Sequence, residues 1–196
     1  MSDFKSHPSL DIAIALTRVG ELLALAGKPT AIVVLGGAAL NLLGFVNRPT
    51  GDVDVIAFAD GAHLTAPPEP LPESLLNAVR TVARQMRLPS DWLNTVAALQ
   101  WRQGLPPGLA DRIEWRVYGG VLRVGLVGRY DLIFFKLYAA ADESNPRGVH
   151  LKDLLSLEPT LDELAAAAAW IRTQDPSPAF AGILDQTLDH ARARIR

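Results

Sequence analysis

Apolar positions along the chain follow two rhythms, and the changes between them mark the elements. Ala31-Ile32-Val33-Val34-Leu35 is a β-branched run bounded by Pro29 and by Gly36-Gly37, the pattern of a short buried strand ending at a turn. From Ala38 to Phe45 the spacing is helical, Arg48-Pro49-Thr50-Gly51 breaks that helix, and Asp52-Val53-Asp54-Val55-Ile56 alternates as a second strand. Upstream, Ser9 is placed to cap a helix over residues 10–26, with Leu10, Ile14, Val19, Leu22 and Leu23 as its buried face and Gly27 as its stop. Downstream, the proline-rich residues 60–73 read as a surface loop and residues 74–86 as an amphipathic helix, while 91–101 fit either a short helix or a structured loop. Residues 112–118 and 121–127 alternate on either side of Gly119-Gly120, which predicts a β-hairpin.

The last third is helical. Asp131 is placed to cap residues 132–141, Pro146 interrupts, and residues 152–157 continue; Thr160 and Glu163 then form a capping-box sequence opening an alanine-rich helix to residue 173, and residues 179–195 make the last helix. The fold predicted is α/β: a small mixed β-sheet core flanked by helices over residues 1–130, followed by a C-terminal helical subdomain, residues 131–196, packed on it.

Composition narrows the class without naming a function. With 49% apolar and 20% charged residues the 196-residue chain is ordinary for a globular protein. A net charge of −2 gives no whole-molecule attraction to nucleic acid, and the absence of cysteine excludes disulfides and thiolate metal sites, which suits a reducing cytoplasm. Residues 25–46 are apolar, but Lys28, Pro29, Gly36, Gly37 and Asn41 interrupt them, so a strand-turn-helix explains the stretch better than a membrane span. The expectation is a cytoplasmic protein with no membrane partner.

The chemistry concentrates in residues 35–58. Side chains alternate along a strand, so Asp52 and Asp54 share one face with Cα atoms roughly 6.5–7 Å apart. Two carboxylates so placed repel each other unless a cation lies between them, and magnesium, a hard ion that takes one or two carboxylates plus phosphate oxygens, meets that need. Gly36 and Gly37, at the end of the preceding strand, let backbone N–H groups and a helix N-terminus approach a phosphate. Alternation alone would equally describe the solvated face of an ordinary half-buried strand.

The order strand, Gly-Gly, helix, Arg-x-Thr-x-Asp-x-Asp, strand resembles the core motif of the nucleotidyltransferase superfamily. Downstream, Asp131-Leu132, Lys136-Leu137-Tyr138-Ala139-Ala140, Arg147 and Lys152-Asp153-Leu154 resemble the helical signature of the abortive-infection AbiEii-like, toxin-like branch, and the likeness spans roughly residues 30–160. It implies a metal-dependent enzyme that moves a nucleoside monophosphate from a nucleoside triphosphate to an acceptor: transfer RNA, protein or a small molecule. Asp52, Asp54, Lys136 and Asp153 would be catalytic, and Gly36, Gly37, Arg48, Thr50 and Lys136 would hold the nucleotide. Asp52 and Asp54 would bind magnesium or manganese, with Glu114 of the hairpin as the candidate third carboxylate; the other reading of Glu114 is the solvated face of an edge hairpin. Lys136, in an otherwise apolar helix, could instead carry its charge out to solvent. An antitoxin partner would accompany the toxin-like branch. The chain departs from the pattern at Gly37, where the superfamily also uses serine, at the long gap to Asp52, and at Ser156, where relatives often carry a further aspartate. These departures leave open a second reading, a catalytically silent module that binds a nucleotide or a protein partner.

Overall fold

A computed structural model describes residues 11–61 and 63–195. In chain order these form α1 (Ile12–Leu25), β1 (Thr30–Leu35), α2 (Gly36–Leu43), β2 (Val53–Asp60), β3 (His63–Thr65), α3 (Glu73–Met86), β4 (Leu93–Asn94), α4 (Leu99–Gln103), β5 (Glu114–Tyr118), β6 (Leu122–Leu126), α5 (Arg129–Glu143), α6 (Val149–Ser156), α7 (Leu161–Gln174) and α8 (Pro178–Arg192), with 3-10 turns at Val96–Ala98 and Leu109–Arg112. The strands lie in the order β3-β2-β1-β6-β5, and β4 pairs with β2 beside β3. β1 runs antiparallel to β2 and parallel to β6, so the sheet is mixed and the architecture α/β.

β1 is apolar on both faces because both are covered. Ile32 and Val34 join Val53, Val55, Leu122, Val124 and Leu126 in a core with α1 and α3. Val33 and Leu35 face the other way, into a core that continues through α5 to α8. Parity then fixes Asp54: alternating with Val53 and Val55, and paired in register with Leu35, it stands on the face covered by α5.

Several predicted details move. Ser9 and Leu10 lie outside the described residues, and the Asp11 carboxylate accepts from the Ile14 N–H as the cap of α1. The buried stripe of α1 is Ile12, Ala15, Leu16, Val19 and Leu23, whereas Ile14 is exposed. Gly128, not Asp131, occupies the cap position of α5; Asp131 sits in the first turn, fully buried, and accepts two hydrogen bonds from Arg112 at 2.9 and 2.7 Å. The stretch read as a loop contains β3, and the undecided stretch resolves into β4, a 3-10 turn and α4. The Thr160–Glu163 capping box forms as predicted. Among the described residues no helix is long and apolar enough to cross a membrane.

Candidate active site

The site forms where β1 ends. Gly36 opens α2 with φ +73, a left-handed conformation in which a Cβ is strained, and a Cβ there would also lie 2.8 Å from Asp54 Oδ2. Bare backbone at this position therefore lets the carboxylate sit against the helix start. At Gly37 the obstacle is Thr50: a Cβ would stand 2.8 Å from its Oγ1 and 3.6 Å from Arg48 Nη2. The hydroxyl that a serine at 37 would bring is thus replaced in space by that of Thr50, which is buried. Asn41 of α2 holds the following loop by donating to the Arg48 carbonyl at 2.9 Å.

Arg48 reaches across to α6, where its Nε and Nη2 donate to the two oxygens of Asp153 at 3.1 and 2.6 Å. Lys136 of α5 donates to the same carboxylate at 2.7 Å. Asp153 is 2% exposed and Lys136 5%, so the reading in which Lys136 carries its charge to solvent is overturned: its ammonium is buried because a buried carboxylate receives it. Both cations keep donors in reserve, since an ammonium has three N–H groups and a guanidinium five.

Asp52 is exposed just before β2 and Asp54 is half-buried within it. Burial, and then the neighbouring charge of Asp52, push the Asp54 carboxyl above the usual carboxylate range, while a hydrogen bond from Asn94 and the charge of Lys136 pull it back. Gly36, Gly37, Arg48, Thr50, Asp52, Asp54, Lys136 and Asp153 are therefore linked through direct neighbours or charge.

Glu114 is not among them. It is exposed on β5, the far edge of the sheet, in the row Glu114, Leu126, Val34, Val55, whose apolar members belong to the α1–α3 core. Cross-strand partners share a face, so Glu114 stands on the side away from Asp54 and three strand spacings, roughly 14 Å, from β2. Among the described residues no group of three metal-binding side chains gathers anywhere. Sequence reasoning also passed over two neighbours. Asn94 is paired in register with Asp54, and the undecided stretch in which it lies gave no signal. His150 is held below the ordinary imidazole range by burial and then by the charge of Lys136, and its Nδ1 is buried without a partner.

A pair of carboxylates with an aspartyl group destabilised as an anion, beside bare backbone, fits a divalent cation bound jointly with phosphate oxygens. Comparison with curated proteins and with solved structures finds no match. Residues 14–155, from α1 to the end of α6, match the model of the family described as nucleotidyltransferase of unknown function (DUF6036), and the chain belongs to that family.

Proposed function

We propose that this protein transfers a nucleoside monophosphate from a nucleoside triphosphate to the hydroxyl of an acceptor, with magnesium or manganese held at Asp52 and Asp54. The observation that carries the reading is the convergence on one spot of an acidic pair, a bare glycine turn and two cations preset by one buried carboxylate. Gly36 and Gly37 offer backbone to phosphate oxygens, and Thr50 adds its hydroxyl beside them. Lys136 and Arg48 meet the negative charge that builds on the departing pyrophosphate, while Asp153 fixes both in place so that little reorganisation is needed during the reaction. Asp52 and Asp54 would hold the cation, which when bound would supply charge neutralisation to the phosphates. The acceptor oxygen bonds to the α-phosphorus as the bond to pyrophosphate breaks, and the hydroxyl proton is released to solvent.

The second reading, a silent nucleotide- or partner-binding module, is favoured by one observation: no third carboxylate joins Asp52 and Asp54 among the described residues. One assay separates the two. The protein is incubated with each α-labelled nucleoside triphosphate, magnesium or manganese, and a mixture of transfer RNA, cellular protein and small acceptors. Transfer of label that is lost in Asp52→Asn and in Asp54→Asn supports the enzyme; binding without transfer under every condition supports the module; no nucleotide binding removes both versions of the phosphate pocket. A toxin–antitoxin setting rests on the sequence resemblance alone, and a small neighbouring gene whose product relieves toxicity on coexpression would test it.

A further inference from the structure

Beside the acidic pair stands a polar side chain that the proposed function leaves unused, Asn94. β4 pairs parallel with β2, placing Leu93 beside Val53 and Asn94 beside Asp54; Val53 N–H donates to the Trp92 carbonyl at 2.6 Å. Trp92 is 1% exposed and its indole N–H donates to the Val79 carbonyl of α3 at 3.2 Å, so this short strand is anchored on a rigid helix. In-register partners share a face, so Asn94 stands beside Asp54, and its amide pulls the Asp54 carboxyl back toward the ordinary carboxylate range. Asn94 Oδ1 accepts from the Val96 N–H at 3.0 Å. The amide oxygen is thus committed to the segment that follows, which fixes the side chain at its place beside Asp54.

We propose that Asn94 is a positioning residue that stands where a third carboxylate would stand, orienting Asp54 while leaving the cation site with only two negative charges. Ligand charge count tunes the affinity of oxygen sites for divalent cations. With two carboxylates, one of them exposed, the protein holds the cation weakly by itself, and the triphosphate supplies the missing negative oxygens. The cation therefore arrives with the nucleotide and leaves with pyrophosphate, instead of residing in the site. A carboxylate at 94 would convert it to a resident site. This inference rests on the proposed cation site at Asp52 and Asp54.

Manganese binding to the full chain, followed by the electron paramagnetic resonance signal of free ion, tests it without any need for turnover. Without nucleotide, the wild-type protein is expected to bind manganese weakly and Asn94→Asp about tenfold or more tightly. The gain is expected to vanish in Asn94→Asp combined with Asp54→Asn. Asn94→Asp keeps the acceptor for Val96 N–H; should it nevertheless fail to fold, Asn94→Ala gives an independent reading, since losing the amide should weaken binding of manganese with triphosphate about tenfold while leaving the far-ultraviolet circular dichroism unchanged. Three results overturn the proposal: wild-type binding of manganese alone as tight as that of Asn94→Asp, a gain that survives Asp54→Asn, or an Asn94→Ala protein with undiminished affinity for manganese plus triphosphate. If the wild-type protein binds no manganese–triphosphate at all, it is the underlying cation site that fails.

Discussion

Asp153 receives two cations, and that asymmetry predicts which side of the cluster is costly to remove. In Asp153→Asn the Lys136 ammonium, 5% exposed, loses its counter-charge, and Arg48 loses the charge and one of the two acceptor oxygens it holds on α6. Leaving a buried charge without its partner costs about 3–5 kcal/mol, and at about 2–4 °C per kcal/mol for a chain of this size the melting temperature should fall by roughly 6–20 °C. Lys136→Met is different. It keeps an apolar stem of similar length, and Asp153 remains bonded to Arg48 at 3.1 and 2.6 Å, so the loss should stay under about 2 kcal/mol, the scale of one hydrogen bond to a charged group. Denaturant unfolding of the three proteins at neutral pH measures the order directly. The same two variants separate folding from function: Lys136→Met should stay folded and lose the stabilisation that magnesium and triphosphate give the wild-type protein. A Lys136→Met protein as unstable as Asp153→Asn, or an Asp153→Asn protein within about 1 kcal/mol of wild type, would refute the shared-carboxylate account.

Three further outcomes follow from the site. Asp54 has its folded pKa raised by burial and by Asp52, so its contribution to stability is intact below the unfolded value of 3.8 and declines as pH rises through the folded one; Asp54→Asn should therefore melt higher than wild type at neutral pH without metal, and a calorimetric scan showing a lower melting temperature there would count against it. His150 is shifted the other way, below 6.5, so the protein should lose stability as pH falls below that value, and a melting-temperature profile between about pH 7.5 and 5 should flatten in His150→Gln. Gly37→Ala should cost about 1–3 kcal/mol by overpacking against Thr50 Oγ1; Thr50→Ala in the same chain should recover most of it, because the Thr50 Cβ itself lies at an ordinary 3.5 Å, and a double-mutant cycle with no coupling would reject that contact.

The part of the site legible in the sequence is the part encoded by local pattern. Gly36-Gly37 at a strand's end and a strand alternating through Asp54 are written within about two dozen residues and form as read, although the helix between them stops at Leu43 under the left-handed Gly44, before Arg48-Pro49, and the strand begins at Val53, leaving Asp52 just ahead of it. Glu114 shows the limit. Alternation fixes which residues of one strand share a face, but not which face of the sheet that is; this depends on pairing between strands, and the register of β5 with β6 turns Glu114 toward α1 and α3. Asn94 was hidden for a related reason: a two-residue strand has too few positions to show a period, and its place beside Asp54 is set by the Trp92 anchor. Asp131 looked like a cap because acidic residues favour helix starts, yet a buried pairing with Arg112 took it instead.

The same distinction explains why the cations could be named from a resemblance but not placed. Arg48 and Asp153 are 105 residues apart, and Lys136 and Asp153 belong to successive helices. Nothing local brings them together; α5 and α6 must dock on the sheet, burying Phe134, Leu137 and Leu154 in the core that also holds Val33 and Leu35, before one carboxylate can serve both charges. Apolar burial is thus the force that assembles the polar site, and the ion pairs, costly to desolvate, repay little of it in stability. Such a cluster is better understood as preorganisation. Under the proposed function its cations would already be in place when a phosphate arrives, so that binding would need no large rearrangement to recruit them. The two carboxylates differ in the same terms: Asp153 is satisfied within the fold by two cations, whereas burial and the charge of Asp52 penalise Asp54 as an anion.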